Sequence, residues 1–334
     1  MDNKTRLKVM AWVATSVATG MAPALAIAAQ PDRIAATTPG HSSVVPEIEL
    51  PDDAASQQIT PDLYARPTLQ VRIGRHGPFN FLVDTGAQAT VVGSDLARQL
   101  ELPARGRAML VATGSRQAVE LVEVNGLAFA DREMNLHAIP VLETQNLGAD
   151  GILGLDTLQG LRVLIDFNQR RIHLADPRTE DLSGRYEIVV RARKRLGQMI
   201  IADATVNGIR TSVVIDTGAD ISVGNFALQR RLRAREQEEA IGTDVHGTTF
   251  AADMRLARQV VIGTMAIDNV PIGFTQSPAF AALGLADRPA LILGMSSLRA
   301  LDRLAIDFAS RRVMFDLPRA ATRGGSGWKA SSAF

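Results

Sequence analysis

The strongest chemical signal in the sequence is an aspartate that occurs twice in one setting. Asp84 closes the run Phe79-Asn80-Phe81-Leu82-Val83 and precedes Thr85-Gly86-Ala87; Asp216 closes Thr211-Ser212-Val213-Val214-Ile215 and precedes Thr217-Gly218-Ala219. Each carboxylate stands where an apolar strand turns, beside a glycine able to take backbone that a side chain forbids. A charge there is costly without a partner. For a single copy, a turn or cap role is the plainer reading. Two copies supply the partner: carboxylates brought into contact cannot both ionise easily, so they share one proton. Such a pair can hold a water, one member acting as general base and the other as general acid. The chemistry is hydrolysis without a metal or a covalent intermediate.

The elements around these sites are duplicated as well. The aspartates lie 216 − 84 = 132 residues apart. Gly151-Ile152-Leu153-Gly154-Leu155-Asp156-Thr157-Leu158 is answered by Leu291-Ile292-Leu293-Gly294-Met295-Ser296-Ser297-Leu298, at 294 − 154 = 140. Ile165-Asp166-Phe167 and the following residues to Ile172 are answered by Ile306-Asp307-Phe308 to Val313, at 307 − 166 = 141. Three blocks in one order with a slowly growing offset describe a duplicated unit, and the period is far too long for a solenoid. The local pattern is mainly strand. Leu69–Ile73 and Phe81–Val83 read as a hairpin, and Ile201–Val206, Asn207-Gly208 and Ser212–Ile215 carry the strongest hairpin signal in the chain. Short helices fit Asp95–Leu100, Ala227–Leu232, Asp156–Leu161 and Ser296–Leu301.

On the paired Asp-Thr-Gly-Ala and Ile-Leu-Gly segments, residues 66–318 resemble the retropepsin-like aspartic proteases, with both halves on one chain. The resemblance implies an all-β fold of two pseudo-twofold related β-barrel halves with short helices. It implies Asp84 and Asp216 as the catalytic dyad, Thr85 and Thr217 as threonines whose hydroxyls interlock beneath it, and Gly86 and Gly218 as the glycines that admit substrate and water. It places Ile152-Leu153-Gly154 and Ile292-Leu293-Gly294 behind the two loops. A flap hairpin over the cleft is also implied, with candidate tips at Thr113-Gly114-Ser115 and His246-Gly247-Thr248, where 247 − 114 = 133 keeps the register of the aspartates. A plain surface hairpin is the competing reading. Neither tip contains Tyr, a departure from the pepsin branch. The activity implied is that of an aspartic endopeptidase acting as a monomer on extended peptide or protein segments without a cofactor. The alternative is a non-catalytic peptide-binding module, or a pseudoprotease, using the same cleft.

Composition narrows the remaining classes. The 334 residues are 46% hydrophobic and 21% charged, an ordinary globular balance, and the chain is long enough for two cores. A net charge of +1 gives no reason to expect a nucleic-acid partner. Cysteine is absent, which removes disulfides, thiolate nucleophiles and Cys-based metal sites. The histidines, His41, His76, His137, His173 and His246, are scattered without ligand spacing and read as surface or turn residues, so no metal site is expected. Gly294-Met295-Ser296-Ser297-Leu298 lacks the second glycine of a nucleophile elbow. The basic run Arg191–Arg195 reads as a solvated hairpin tip, and Asp166 and Asp307 as repeated turns or ion pairs with the nearby Arg170, Arg171, Arg311 and Arg312. Lys4, Arg6 and Lys8 precede an apolar run from Val9 to Ala29 that closes on small residues, the layout of a signal peptide. The expected organisation is a signal peptide at 1–29, a linker at 30–65, an N-terminal half at 66–180, a C-terminal half at 181–318 and a flexible tail at 319–334. The high Arg and Ala usage, read as the coding bias of a GC-rich bacterium, makes the periplasm the expected destination. An uncleaved N-terminal anchor facing the periplasm is the alternative.

Overall fold

The computed structural model describes residues 66–178, 185–232 and 235–318, with short strand segments at 16–18, 56–58, 60–61 and 329–331. Apart from those segments, the expected signal peptide, linker and tail lie outside the described residues. The segments Ser56–Gln58 and Thr60–Pro61 fall within the stretch read as linker, yet they pair with Arg171–Ala175 and Pro67–Ile73. Backbone pairing needs no apolar period, so the side-chain pattern gave no sign of them. Among the described residues no helix is long and apolar enough to cross a membrane.

Each half closes a barrel in the same strand order. In the N half, Pro67–Ile73 alternates buried Leu69, Val71 and Ile73 with exposed Gln70 and Arg72, the period of a strand with one face in a core. It pairs with His76–Val83, which runs parallel to Gly151–Leu153. The path continues through Val91–Gly93 and Arg132–Leu142 to Arg116–Phe129, whose Leu127 and Ala128 return to Ile73 and Arg72 and complete the ring. The C half repeats this path with Gln198–Ile201 and Ala204–Val206, Ser212–Ile215, Ala290–Leu293, Ser222–Gly224, Met265–Phe274 and Thr249–Ile262, and the last closes onto Ala204–Val206. The expected Asn207-Gly208 turn is present with φ of 48° and 80°, the doubly positive geometry of a tight hairpin. Arg193–Arg195 of the basic run forms the exposed outer strand of a hairpin that turns at Leu196-Gly197.

A six-stranded sheet joins the halves. At its centre Arg162–Asp166 runs antiparallel to Arg303–Asp307, pairing Arg162 with Asp307, Leu164 with Ala305 and Asp166 with Arg303. Leu164 and Ala305 are themselves repeat equivalents, since 305 − 164 = 141, so the pseudo-twofold axis passes between them. This register corrects one expectation. The repeated turn is present, Asp166 Oδ1 accepting from Gln169 N at 2.7 Å and Asp307 Oδ1 from Ser310 N at 2.8 Å, but the ion-pair partner of Asp307 is Arg162 of the other half, with Nη2 to Oδ2 at 2.9 Å and both side chains buried, rather than an arginine of its own turn. His173 is a second correction: pairing within this sheet buries it, at 6% exposure. One apolar cluster runs from Leu69 and Phe81 through Ile165 to Leu304 and Phe315, so the halves share a continuous core.

Candidate active site

Both Asp loops are stitched at each end to the Leu-Gly segment of their own half. The Asp84 amide donates to Leu153 O at 3.1 Å and Leu155 N donates to Ala87 O at 2.8 Å; the Asp216 amide donates to Leu293 O at 3.1 Å and Met295 N to Ala219 O at 2.8 Å. Inside each loop one carboxylate oxygen is pinned by the loop's own backbone. Asp84 Oδ1 accepts from Gly86 N at 2.7 Å and Ala87 N at 2.8 Å, and Asp216 Oδ1 accepts from Gly218 N at 2.9 Å and Ala219 N at 3.1 Å. The other oxygen of Asp84, Oδ2, is buried and accepts no hydrogen bond from the other described residues.

The halves interlock directly beneath these carboxyls. Thr85 Oγ1 donates to Ile215 O at 2.9 Å and accepts from Thr217 N at 3.2 Å, while Thr217 Oγ1 donates to Val83 O at 2.6 Å and accepts from Thr85 N at 3.1 Å. Each glycine lies against the opposite carboxyl. A Cβ at Gly86 would stand 2.3 Å from Asp216 Cγ, and one at Gly218 would stand 2.2 Å from Asp84 Cγ, distances no side chain can occupy. The structure therefore brings all six sequence-predicted dyad residues, Asp84, Thr85, Gly86, Asp216, Thr217 and Gly218, into one cluster.

Burial and mutual charge set the protonation of the pair. Asp84 is fully buried, and desolvation, then the charge of Asp216, pushes its carboxyl well above the ordinary carboxylate range. Asp216 is also raised by burial, but the N–H groups of Gly218 and Ala219, a hydrogen bond from Asp84 and the positive charge of Arg66 oppose the rise. Two such groups titrate as a unit, with one proton shared between them.

Comparison with known families gives the same two segments. A family model described as gag-polyprotein putative aspartyl protease matches residues 69–160, and one described as aspartyl protease matches residues 202–297. The chain belongs to the retropepsin-like aspartyl proteases. Each match spans one Asp-Thr-Gly loop and its Leu-Gly segment, so two retropepsin-like halves lie in tandem on one polypeptide. No curated protein matches the chain.

The candidate tips of this retropepsin-like protein meet each other. Ser115 Oγ donates to Asp244 Oδ2 at 2.6 Å, Gly114 N approaches the same oxygen at 3.3 Å, and Gln117 Nε2 donates to Thr248 Oγ1 at 3.0 Å. Asp244 Oδ1 meanwhile accepts from His246 N and Thr248 N of its own turn. An added Cβ at Gly114 would strike the Phe250 ring, and one at Gly247 would press on Asn146, so both tips are packed against partners. Val245 shares an apolar cluster with Ala87, Leu110 and Ala112, which joins the C-half tip to the Asp84 loop.

Several residues at this retropepsin-like site escaped the sequence reading. Asp244 is one; its only local signal is an Asp placed two residues before His246-Gly247, as in an Asx turn. Thr90 with Thr157, and Ser222 with Ser297, form hydroxyl pairs at 3.1 Å behind the two loops, at positions related by 222 − 90 = 132. The repeat offset could have found them. Arg66 and Gln198 also reach the loops, across the halves. Among the described residues no group of three or more His, Asp and Glu is arranged to hold a metal.

Proposed function

We propose that the protein is an aspartic endopeptidase that hydrolyses peptide bonds in extended segments with a water activated between Asp84 and Asp216. The observation that carries this reading is the buried mutual contact of two carboxyls across a pseudo-twofold axis, each with the other half's glycine against it. The ionised carboxylate takes a proton from the water as its oxygen attacks the scissile carbonyl carbon, and the protonated carboxyl gives its proton to the carbonyl oxygen. Collapse of the tetrahedral species returns a proton to the leaving amide nitrogen, and the C–N bond breaks. Thr85 and Thr217 hold the two loops in register while this occurs. The tips at Gly114 and Gly247 act as flaps. Because Asp84 is fully buried and Asp216 is 6% exposed, substrate enters only when the tips part.

Both halves lie on one chain, so the active particle is a monomer, and the amino-terminal segment directs export to the periplasm. The enclosure of the dyad also favours a second reading, a peptide-binding module or pseudoprotease whose cleft holds a segment without cutting it. Incubation of the purified protein with a randomised peptide library, beside Asp84→Asn and Asp216→Asn, separates the two. Cleavage by the wild-type chain that falls by at least about 10³-fold in either variant is expected. Peptide capture without cleavage, or turnover retained in either variant, removes the dyad from the mechanism. Light scattering under assay conditions is expected to give one chain per active particle.

A further inference from the structure

The two halves differ at one pair of buried positions that touch the dyad loops. Arg66 and Gln198 stand at equivalent places, since 198 − 66 = 132 is also the separation of Asp84 and Asp216. Each is 1% exposed. Each reaches the carbonyl of the glycine that follows the other half's aspartate: Arg66 Nη1 donates to Gly218 O at 3.2 Å, and Gln198 Nε2 donates to Gly86 O. Arg66 Nη2 donates in addition to Leu147 O at 2.6 Å. The two side chains do the same geometric work, but one carries a permanent charge and the other carries none.

We propose that Arg66 and Gln198 act as positioning residues that decide which carboxyl of the dyad holds the shared proton: Asp84, on the amide side, is protonated, and Asp216, on the guanidinium side, is ionised. The terms acid and base rest on the protease reading above; the position of the proton does not. A buried guanidinium acts through low dielectric, where a fixed charge is felt strongly by a neighbouring carboxylate. The lowering effect of Arg66 on Asp216, with no counterpart among the causes acting on Asp84, agrees with this geometry. Among the described residues, charged groups on the neighbouring elements have further contacts of their own. Asp220, in the Asp216 loop, lies 3.6 Å from Arg299; Asp156, behind the Asp84 loop, accepts from Thr90; Asp244 binds the two tips.

Carboxyl titration by ¹³C NMR tests the proposal without any substrate. Asp216 is followed in Asp84→Asn, and Asp84 in Asp216→Asn. Asp216 is expected to titrate at lower pH than Asp84. Adding Arg66→Gln to the first variant should raise Asp216 by about half to one pH unit, and adding Gln198→Arg to the second should lower Asp84 by a similar amount. If Arg66→Gln does not fold, Arg66→Lys, which keeps the charge, should leave Asp216 unmoved, and the Gln198→Arg arm stands by itself. In active protein, Arg66→Gln should move the acid limb of the pH–rate profile upward. The double exchange Arg66→Gln with Gln198→Arg should bring it back, because one charge again sits under one loop. A limb that stays in place, or a double exchange that fails to restore it, leaves Arg66 a purely structural residue and overturns the proposal. Equal or reversed titration of the two aspartates overturns it as well. The expected titration order in a protein that cuts no peptide would uphold this inference while sinking the protease reading.

Discussion

The N-half and C-half loops repeat each other's geometry and differ in charge. Behind Asp84, Thr90 Oγ1 faces Thr157 Oγ1 at 3.1 Å and accepts from Gly154 N at 3.1 Å; behind Asp216, Ser222 Oγ faces Ser297 Oγ at 3.1 Å and accepts from Gly294 N at 3.1 Å. The N half then adds a carboxylate, Asp156, which accepts from Thr90 Oγ1 at 2.7 Å, where the C half has the neutral Ser296. Asp220 of the C half stands where the N half has Gln88, and Asp244 where it has Ala112, both pairs 132 apart. The threonine contacts that cross beneath the dyad are matched between the halves. The charges beside those contacts differ between the halves.

Four experiments test how far that comparison reaches. The largest effect belongs to the inter-half ion pair. Arg162→Ala strands Asp307 as a buried charge and should cost about 3–5 kcal/mol in denaturant unfolding. Its counterpart Arg303 pairs with Asp316 of its own half and lies over the Tyr186 ring at 5.1 Å, so Arg303→Ala should cost less. Equal losses would show that reaching across the axis adds nothing. Gly86→Ala and Gly218→Ala come next, each destabilising by about 1–3 kcal/mol and removing hydrolysis. Because the two clashes are alike, a large difference between these variants would break the symmetry claimed for the loops.

The third experiment uses the raised carboxyl of Asp84. A native value above the unfolded one means that its stabilising contribution is complete below the ordinary carboxylate range and is lost as pH rises through the native value. Asp84→Asn removes that loss. Its melting temperature should match the wild type near about pH 3 and exceed it at neutral pH. Asp216→Asn should gain less, and identical gains would argue for an evenly shared proton. The smallest effect concerns Ala87 and Ala219, which give the carboxylates a backbone N–H but no hydroxyl. The unmodified protein should therefore work best at mildly acidic to near-neutral pH. Replacing both with Ser should move both limbs of the pH–rate profile toward acid by a fraction of a pH unit, provided the hydroxyls reach the carboxylates. A strongly acidic optimum in the unmodified protein would assign the dyad's protonation to another cause.

The parts of this structure legible in the sequence were the parts written twice. Asp84 and Asp216, the Leu-Gly segments and the closing strands were visible because duplication preserved residue type as well as spacing. Arg66 and Gln198 were hidden because the repeat kept their place and changed their chemistry. The helices Thr144–Leu147 and Pro278–Ala282 are too short to show a helical period, although Ser277 before Pro278 is a readable start, its hydroxyl accepting from Ala279 N. The partner of Asp307 depended on a strand register between halves, which local charge spacing does not encode. The strand at Ser56–Gln58 is held by backbone pairing and by the Gln57 amide, which bonds the backbone of Gln70, and neither leaves an apolar period to read.

The pairing of Leu164 with Ala305 at the axis bears on how the molecule can be assembled at all. In a homodimer the residue on the axis must face a copy of itself. Here a large side chain faces a small one, and both are buried, at 3% and 0% exposure. Two N halves would set leucine against leucine in space cut for one, and two C halves would leave a gap between alanines. The seam is a knob and its socket. At this point the two halves are complementary rather than identical.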